Sequence, residues 1–337
     1  MGERAERLDH RRGGAALPAH RGGGRDLSRR RTPPRLPGLV DSHAHLQHER
    51  FDADRDAVIE RAVAAGIERI VVPGWDVASS EAALALADRY PDLIQAAVGI
   101  HPHHAAEMDE QGWARLEALV VDPRTRAIGE IGLDYFRNLS PPDVQRAAFS
   151  RQLAIAGERG LPVLVHDRAA HADITEALLA WSSTGEGRRG VLHAFSGDWP
   201  MAEALVGAGF LISFALPVAF RSATGPREAA AALPAGTFLV ETDAPHLGPD
   251  RDATNEPTTA LRVAAELARI RAVAPEDLVR PIRGALDALL PPTDETARPT
   301  ATEGSRPGTL AIGSIVIGVV AGLIVIGVVV YLLVLAP

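Results

Sequence analysis

The sequence predicts an α/β protein built as a (β/α)8 barrel, with a disordered N-terminal extension and a C-terminal transmembrane helix. Between residues 39 and 290, short apolar runs alternate eight times with Ala- and Leu-rich segments whose apolar residues recur at helical spacing. Most of these runs end in polar side chains, as expected where a barrel gathers the C-terminal ends of its strands on one face. A doubly wound open sheet shares the alternation but not that gathering. The helix at the far end rests on a third observation, an uncharged apolar run from Leu310 to Ala336.

Residues 1–38 hold ten arginines against four acids, are rich in Gly and Pro, and show no apolar period. Such a segment cannot bury enough surface to offset its ordering entropy, so it is read as disordered. Its paired arginines lack a following apolar stretch, which argues against a cleaved export signal. The first strand is LVDSHAHL (39–46), followed by the helical RDAVIERAVAAG. IERIVVPGW (67–75) is the second strand, SSEAALALADRY the next helix, and IQAAVGIHPHH (94–104) the third strand. The remaining strands are TRAIGEIGLDY (125–135), LPVLVHDR (161–168), GVLHAFSG (190–197), FLISFALP (210–217) and TFLVETDAP (237–245). A last helix, PIRGALDALL, brings the barrel to residue 290.

Residues 291–309 form a polar, Pro-containing linker. The 27 residues of 310–336 would make a helix of roughly 40 Å, enough to span a hydrocarbon core of about 30 Å with some tilt. Arg298 and Arg306 precede this run, so the expected topology is a tail anchor that leaves the catalytic domain in the cytoplasm. Ser314, Gly318 and Gly322 fall at intervals of four, a face on which two such helices can approach closely.

Composition narrows the chemistry. There is no cysteine, which excludes disulfides and thiolate metal sites, so any metal is held by nitrogen and oxygen. Residues 39–290 carry 23 arginines against 36 acids, and the chain has no lysine. A domain this acidic is a poor general polyanion binder, so contact with nucleic acid is expected to be local.

In DSHAHL, His43 and His45 are two residues apart, and in an extended segment they project from one face toward a single point. Their partners close other strands: Glu130 on the fourth, His166 on the fifth, His193 on the sixth and Asp243 on the eighth. Each alone has a mundane reading as a buried, hydrogen-bonded or capping side chain, but the six recur at equivalent positions. Four imidazoles and two carboxylates suit Zn, Mn, Co or, less well, Mg. Six ligands crowd one ion, so two divalent ions are expected, with Glu130 able to bridge them. The implied chemistry is hydrolysis.

The chain resembles the TatD-like metal-dependent hydrolases, often described as deoxyribonucleases, within the amidohydrolase-type barrels. The resemblance covers about residues 39–290: DSHAHL, GIHPHH at 99–104, GEIGLDY at 129–135, LVHDRAA at 164–170, LHAFSG at 192–197, ETDAPHL at 241–247 and NEP at 255–257. It implies a barrel in which His43, His45 and Asp243 serve mainly one metal and His166 and His193 the other, with Glu130 between them. It further implies His101 near the scissile group and Arg168 near a phosphate. Asp243 is then the group that accepts a proton from the attacking water, and the substrate is the end of a nucleic acid or a small phosphodiester. Four features depart from the family: His246 after the final DAP, the segment RDATNEP, the last helix PIRGALDALL without the usual Asn-containing ending, and the apolar tail. An alternative activity on the same metals is hydrolysis of an amide, lactone or ester. A non-catalytic membrane-tethered module is disfavoured by six convergent ligands.

Several neighbours have readings of their own. Asp41 is expected to orient a ligand histidine or to cap the strand end, and Glu241 to support the site from the face it shares with Asp243. His103 and His104 are substrate contacts or helix caps. Trp75, Tyr135 and Trp199 read as rim packing or as stacking surfaces for a base.

Overall fold

In the computed structural model of the chain, which describes residues 35–249 and 253–292, eight strands lie side by side in sequence order, all parallel. They are β1 (Leu39–Asp41), β2 (Ile67–Pro73), β3 (Ile94–Val98), β4 (Thr125–Asp134), β5 (Val163–Arg168), β6 (Gly190–Leu192), β7 (Leu211–Phe214) and β8 (Phe238–Val240). The ring closes beyond the formal ends of β1 and β8. Ser42 N donates to Val240 O at 3.0 Å, Asp243 N to His43 O at 2.8 Å and His45 N to Ala244 O at 2.7 Å. This is the (β/α)8 barrel that the alternation predicts.

Nearly every strand residue is buried, since helices cover the outside and side chains fill the inside. The helices are α1 (Arg55–Ala64), α2 (Val77–Arg89), α3 (Glu110–Val120), α4 (Pro142–Arg159), α5 (His171–Ser183), α6 (Trp199–Gly207), α7 (Thr224–Ala232), α8 (Ala260–Arg271) and α9 (Pro275–Leu289). Their starts are chemically marked: Asp76, Asp109 and Asp198 accept the amides of Ser79, Gly112 and Met201 and so begin α2, α3 and α6. Beneath them Phe51, Phe149, Phe210, Phe214 and Phe238 are fully buried.

Several predicted strands are shorter in the structure. The first stops at Asp41, the third at Val98, the sixth at Leu192 and the eighth at Val240. The polar motifs that follow leave the sheet to converge over its mouth, and Pro102–Glu107 forms a 3-10 turn rather than strand. The fourth strand, by contrast, continues past Glu130 to Asp134. The N-terminal boundary also shifts. Leu36 is fully buried and its amide bonds Ala65 O at 2.9 Å, so order reaches back into the segment read as disordered.

At the other end of the barrel, Leu290 and Pro291 are pinned beneath the N-terminal ends of three strands. Arg69 of β2 donates to Leu290 O at 3.1 Å, Gln95 of β3 to Pro291 O at 3.0 Å and Arg126 of β4 to Pro291 O at 2.8 Å. Residues 1–34, the linker from 293 on and the predicted transmembrane helix at 310–336 lie outside the described residues. Among the described residues no helix is long and apolar enough to cross a membrane.

Candidate metal centre

The six predicted ligands meet at the mouth of the barrel. His43 and His45 come from the extension of β1, Glu130 and His166 from within β4 and β5, and His193 and Asp243 from just after β6 and β8. Close approach of the backbones makes this possible. A Cβ at Gly132, whose φ is +141°, would strike the carbonyl of His166 on the neighbouring strand.

Glu130 divides the site. Its Oε2 faces His43 Nε2 and His45 Nε2, each at 3.4 Å, while its Oε1 faces His166 Nδ1 and His193 Nε2, each at 2.9 Å. On the first side His43 and His45 bring their Nε2 atoms to 3.2 Å from each other, and Asp243 Oδ1 stands 3.8 Å and 3.5 Å from them. On the second side His166 Nδ1 and His193 Nε2 are 3.1 Å apart, and His101 Nε2 lies 3.5 Å from Glu130 Oε1.

These separations fit divalent ions. Tetrahedral nitrogen and oxygen ligands at roughly 2.0–2.2 Å from a metal stand about 3.4 Å from one another, which is the spacing of the first set. The rings are also aimed. His45 Nδ1 donates to Pro73 O at 3.2 Å and His193 Nδ1 to Glu241 Oε1 at 3.3 Å, so each turns its Nε2 inward. His43 is stacked on His193 with ring centroids 4.0 Å apart, and its Nδ1 is buried without a hydrogen-bond partner among the described residues.

Without metal, the cluster behaves as paired acids and bases. Burial alone would raise the Glu130 carboxyl, but the surrounding histidines, His193 foremost, hold it well below the usual carboxylate range. Burial opposes the charged form of His45, yet Asp243 and Glu130 outweigh it and push the imidazole up to about 9. His193 is raised well above its ordinary value because Glu130 and Glu241 likewise overcome burial. His101 is held well below its ordinary value by burial and stays neutral. Divalent ions would take the place of the protons these pairs share.

The remaining predicted residues fall into place around this centre. His101 caps the 3-10 turn, its Nδ1 accepting from His103 N at 3.1 Å, so the cap is His101 rather than His103 or His104. Arg168 ends β5 and is exposed, its guanidinium 4.7 Å over the ring of Phe136, with no hydrogen bond to a described residue. Glu241 is fully buried and accepts from Ala194 N at 2.5 Å as well as from His193. Asp41 touches no imidazole. It accepts from His43 N at 3.2 Å, Thr242 N at 3.0 Å and Thr242 Oγ1 at 2.6 Å, tying the exits of β1 and β8 together, and burial pushes its carboxyl up to about 8. Trp75 packs edge-on against His45 at the rim, and Tyr135 donates to Asp173 at 2.6 Å.

Sequence reasoning missed Asp134. Its Oδ2 receives His103 Nε2 at 2.8 Å and lies 3.4 Å from His166 Nε2, so it braces a ring on the second side of the centre. The signal was present: Glu130, Gly132 and Asp134 alternate along one extended strand and therefore share a face.

The profile of the family described as TatD related DNase matches residues 40–290. The metal-dependent hydrolase YabD of Bacillus subtilis strain 168 is 38% identical over 242 residues, covering 71% of this chain and 94% of YabD. A 3'-5' ssDNA/RNA exonuclease TatD of Erwinia tasmaniensis is 36% identical, covering 69% of this chain and 92% of that protein. Among solved structures, YjjV, a TatD homologue of Escherichia coli K12, superposes with a TM-score of 0.71 at 28% identity, covering 76% of this chain and 98% of YjjV.

Proposed function

The chain belongs to the TatD-related DNase family of metal-dependent hydrolases, and we propose that it trims nucleic-acid ends by phosphodiester hydrolysis at a centre of two divalent ions. The observation that carries this reading is the split of Glu130, whose two oxygens face two separate imidazole sets. His43, His45 and Asp243 would hold one ion, His166 and His193 the other, and Glu130 both. Zn, Mn, Co and Mg all suit these ligands, Mg least. When bound, such a pair supplies charge for the phosphoryl oxygens and a more acidic attacking water.

The chain's own groups do the rest. Asp243 stands at the open side of the first set, 13% exposed, where its carboxylate can accept a proton from the attacking water. Arg168, whose guanidinium rests on Phe136 and hydrogen-bonds no described residue, can grip a phosphate oxygen with paired donors. His101, neutral and buried beside Glu130, offers a hydrogen bond to the scissile group. Relatives named as 3'-5' ssDNA/RNA exonucleases support a nucleic-acid end as the substrate.

The deciding assay gives the metal-loaded chain 3'- and 5'-labelled single-stranded DNA and RNA beside a panel of amides, lactones and esters. The expected products are mononucleotides released from one end. Faster turnover of a carboxylic ester or amide than of every phosphodiester would overturn the reading. For the apolar run at 310–336, the corresponding proposal is a C-terminal membrane anchor with the catalytic domain in the cytoplasm. Its support is length, hydropathy and the flanking Arg298 and Arg306.

A further inference from the structure

A groove of about 1140 Å³ opens from the metal centre on one side, bounded at its inner end by His166, His193 and Asp243 and running over the loops that follow β5, β6 and β7. A smaller recess of about 420 Å³ lies on the other side, over the loops after β1 to β4 and β8, lined by Trp75, His101, His103 and His246. A chain cut at the centre therefore has unequal room on its two sides.

The large groove has apolar walls, among them Phe195, Met201, Leu179 and Pro217, and its acids are mostly engaged. Asp198 caps α6 through Met201 N at 3.1 Å. Asp167 accepts Ala170 N at 3.2 Å and binds His171 Nδ1 at 2.7 Å. The two members of this last pair differ in exposure. The Asp167 side chain is 6% exposed and that of His171 is 42% exposed, so the pair presents its donor end to the groove. His171 Nε2 has no hydrogen-bond partner among the described residues. With Arg168 at the inner end and His171 beyond it, the groove holds two basic side chains among a mixed lining that also includes Thr175, Glu176, Ser196 and Ser222.

We propose that His171, held by Asp167, binds the phosphate next to the scissile one on the retained side of the substrate, and so makes the enzyme selective for chains of two or more phosphodiesters. This rests on the phosphodiesterase reading above. The Asp167 hydrogen bond also raises the imidazole above its ordinary value, against the opposing effect of burial and with help from Asp198, which favours the form with both nitrogens donating. Phosphate is an acceptor only, so that form is the one that binds it.

The test uses the metal-loaded full chain and two trinucleotides that differ in one group: the second phosphate is native in one and an uncharged methylphosphonate in the other. In the unaltered protein the neutral linkage is expected to raise KM about tenfold with little change in kcat. In His171→Ala that penalty is expected to shrink to less than about twofold, and His171→Lys, which keeps a cation there, is expected to restore most of it. An equal penalty in the unaltered protein and in His171→Ala overturns the assignment, as does the absence of any penalty in the unaltered protein. Failure of the unaltered protein to cleave either trinucleotide would instead remove the phosphodiesterase reading beneath it.

Discussion

Among the described residues Glu130 is the carboxylate that touches both imidazole sets, and its charge lies between the positions proposed for two dications. Glu130→Gln keeps the shape but removes that anion, so metal content and turnover are both expected to fall by at least about tenfold, by analogy with the loss of a metal-supporting group. Elemental analysis beside kinetics checks it, and two tightly held metals with ordinary turnover would exclude the bridging role. Arg168 answers a different question, because its guanidinium sits on Phe136 and makes no hydrogen bond to a described residue. Arg168→Lys keeps the charge but loses the planar fork, so phosphodiester turnover is expected to drop about tenfold or more at unchanged metal content. An unaltered rate on DNA would remove Arg168 from phosphate binding. The convergence of the six candidate ligands was legible in the sequence because each closes an apolar run with a chemically unusual side chain. The face of Asp134 was legible too, since it alternates with Glu130, but the partners of Asp134 and Asp41 were not, since they depend on which neighbour a strand end meets across the mouth, and that is a property of the closed ring.

The elements were legible where burial is two-sided and less so where the chain leaves the strands at the mouth. The runs of β2 and β3 read as strands because, Glu68, Arg69 and Gln95 apart, they are apolar. The motifs after β1, β3, β6 and β8 read as further strand because each continues an apolar run, whereas the chain turns there, as 3-10 at Pro102–Glu107 and with positive φ at Ala194 and Asp243. Between elements, the outer ring is fastened by side chains the pattern does not reveal. Buried Glu266 on α8 accepts Arg227 of α7 at 2.8 Å and Arg269 of its own helix at 2.9 Å, and Arg227 also donates to Val218 O at 2.8 Å. Burial opposes the Glu266 charge, but Arg269 and Arg227 hold its carboxyl below the ordinary value. A depressed folded pKa contributes stability above the unfolded value near 4.5 and loses it as pH falls through the lower folded one. Glu266→Gln is therefore expected to cost about 2 kcal/mol at neutral pH, and the difference from the unaltered protein should narrow on acidification. Denaturation midpoints at pH 7 and below pH 4 check it, and a gap that widens in acid would refute the pairing.

At the scale of the molecule, the two ends of the described barrel leave by the face opposite the metal centre. Leu36 and Pro37 lead into the N-terminal end of β1, and Leu290 and Pro291 sit under the N-terminal ends of β2, β3 and β4. The active mouth is thus free of both chain exits, which is the arrangement an enzyme needs if its C-terminal extension is held in a bilayer. The hydrogen bonds also say where the barrel can be cut. Ending the chain after Pro292 keeps every contact of Arg69, Gln95 and Arg126 to the Leu290 and Pro291 carbonyls, so that truncation is expected to give a hydrolase with unchanged activity per molecule that needs no detergent. Ending it after Leu289 removes both carbonyls and the buried Leu290 side chain, leaving Arg69 with fewer partners. A loss of about 2–4 kcal/mol is expected there. The full chain, with its 27 uncharged apolar residues, is expected to sediment with membranes and to resist alkaline carbonate extraction. If it stays in the aqueous fraction, or if ending the chain after Pro292 unfolds the barrel, the anchor is refuted.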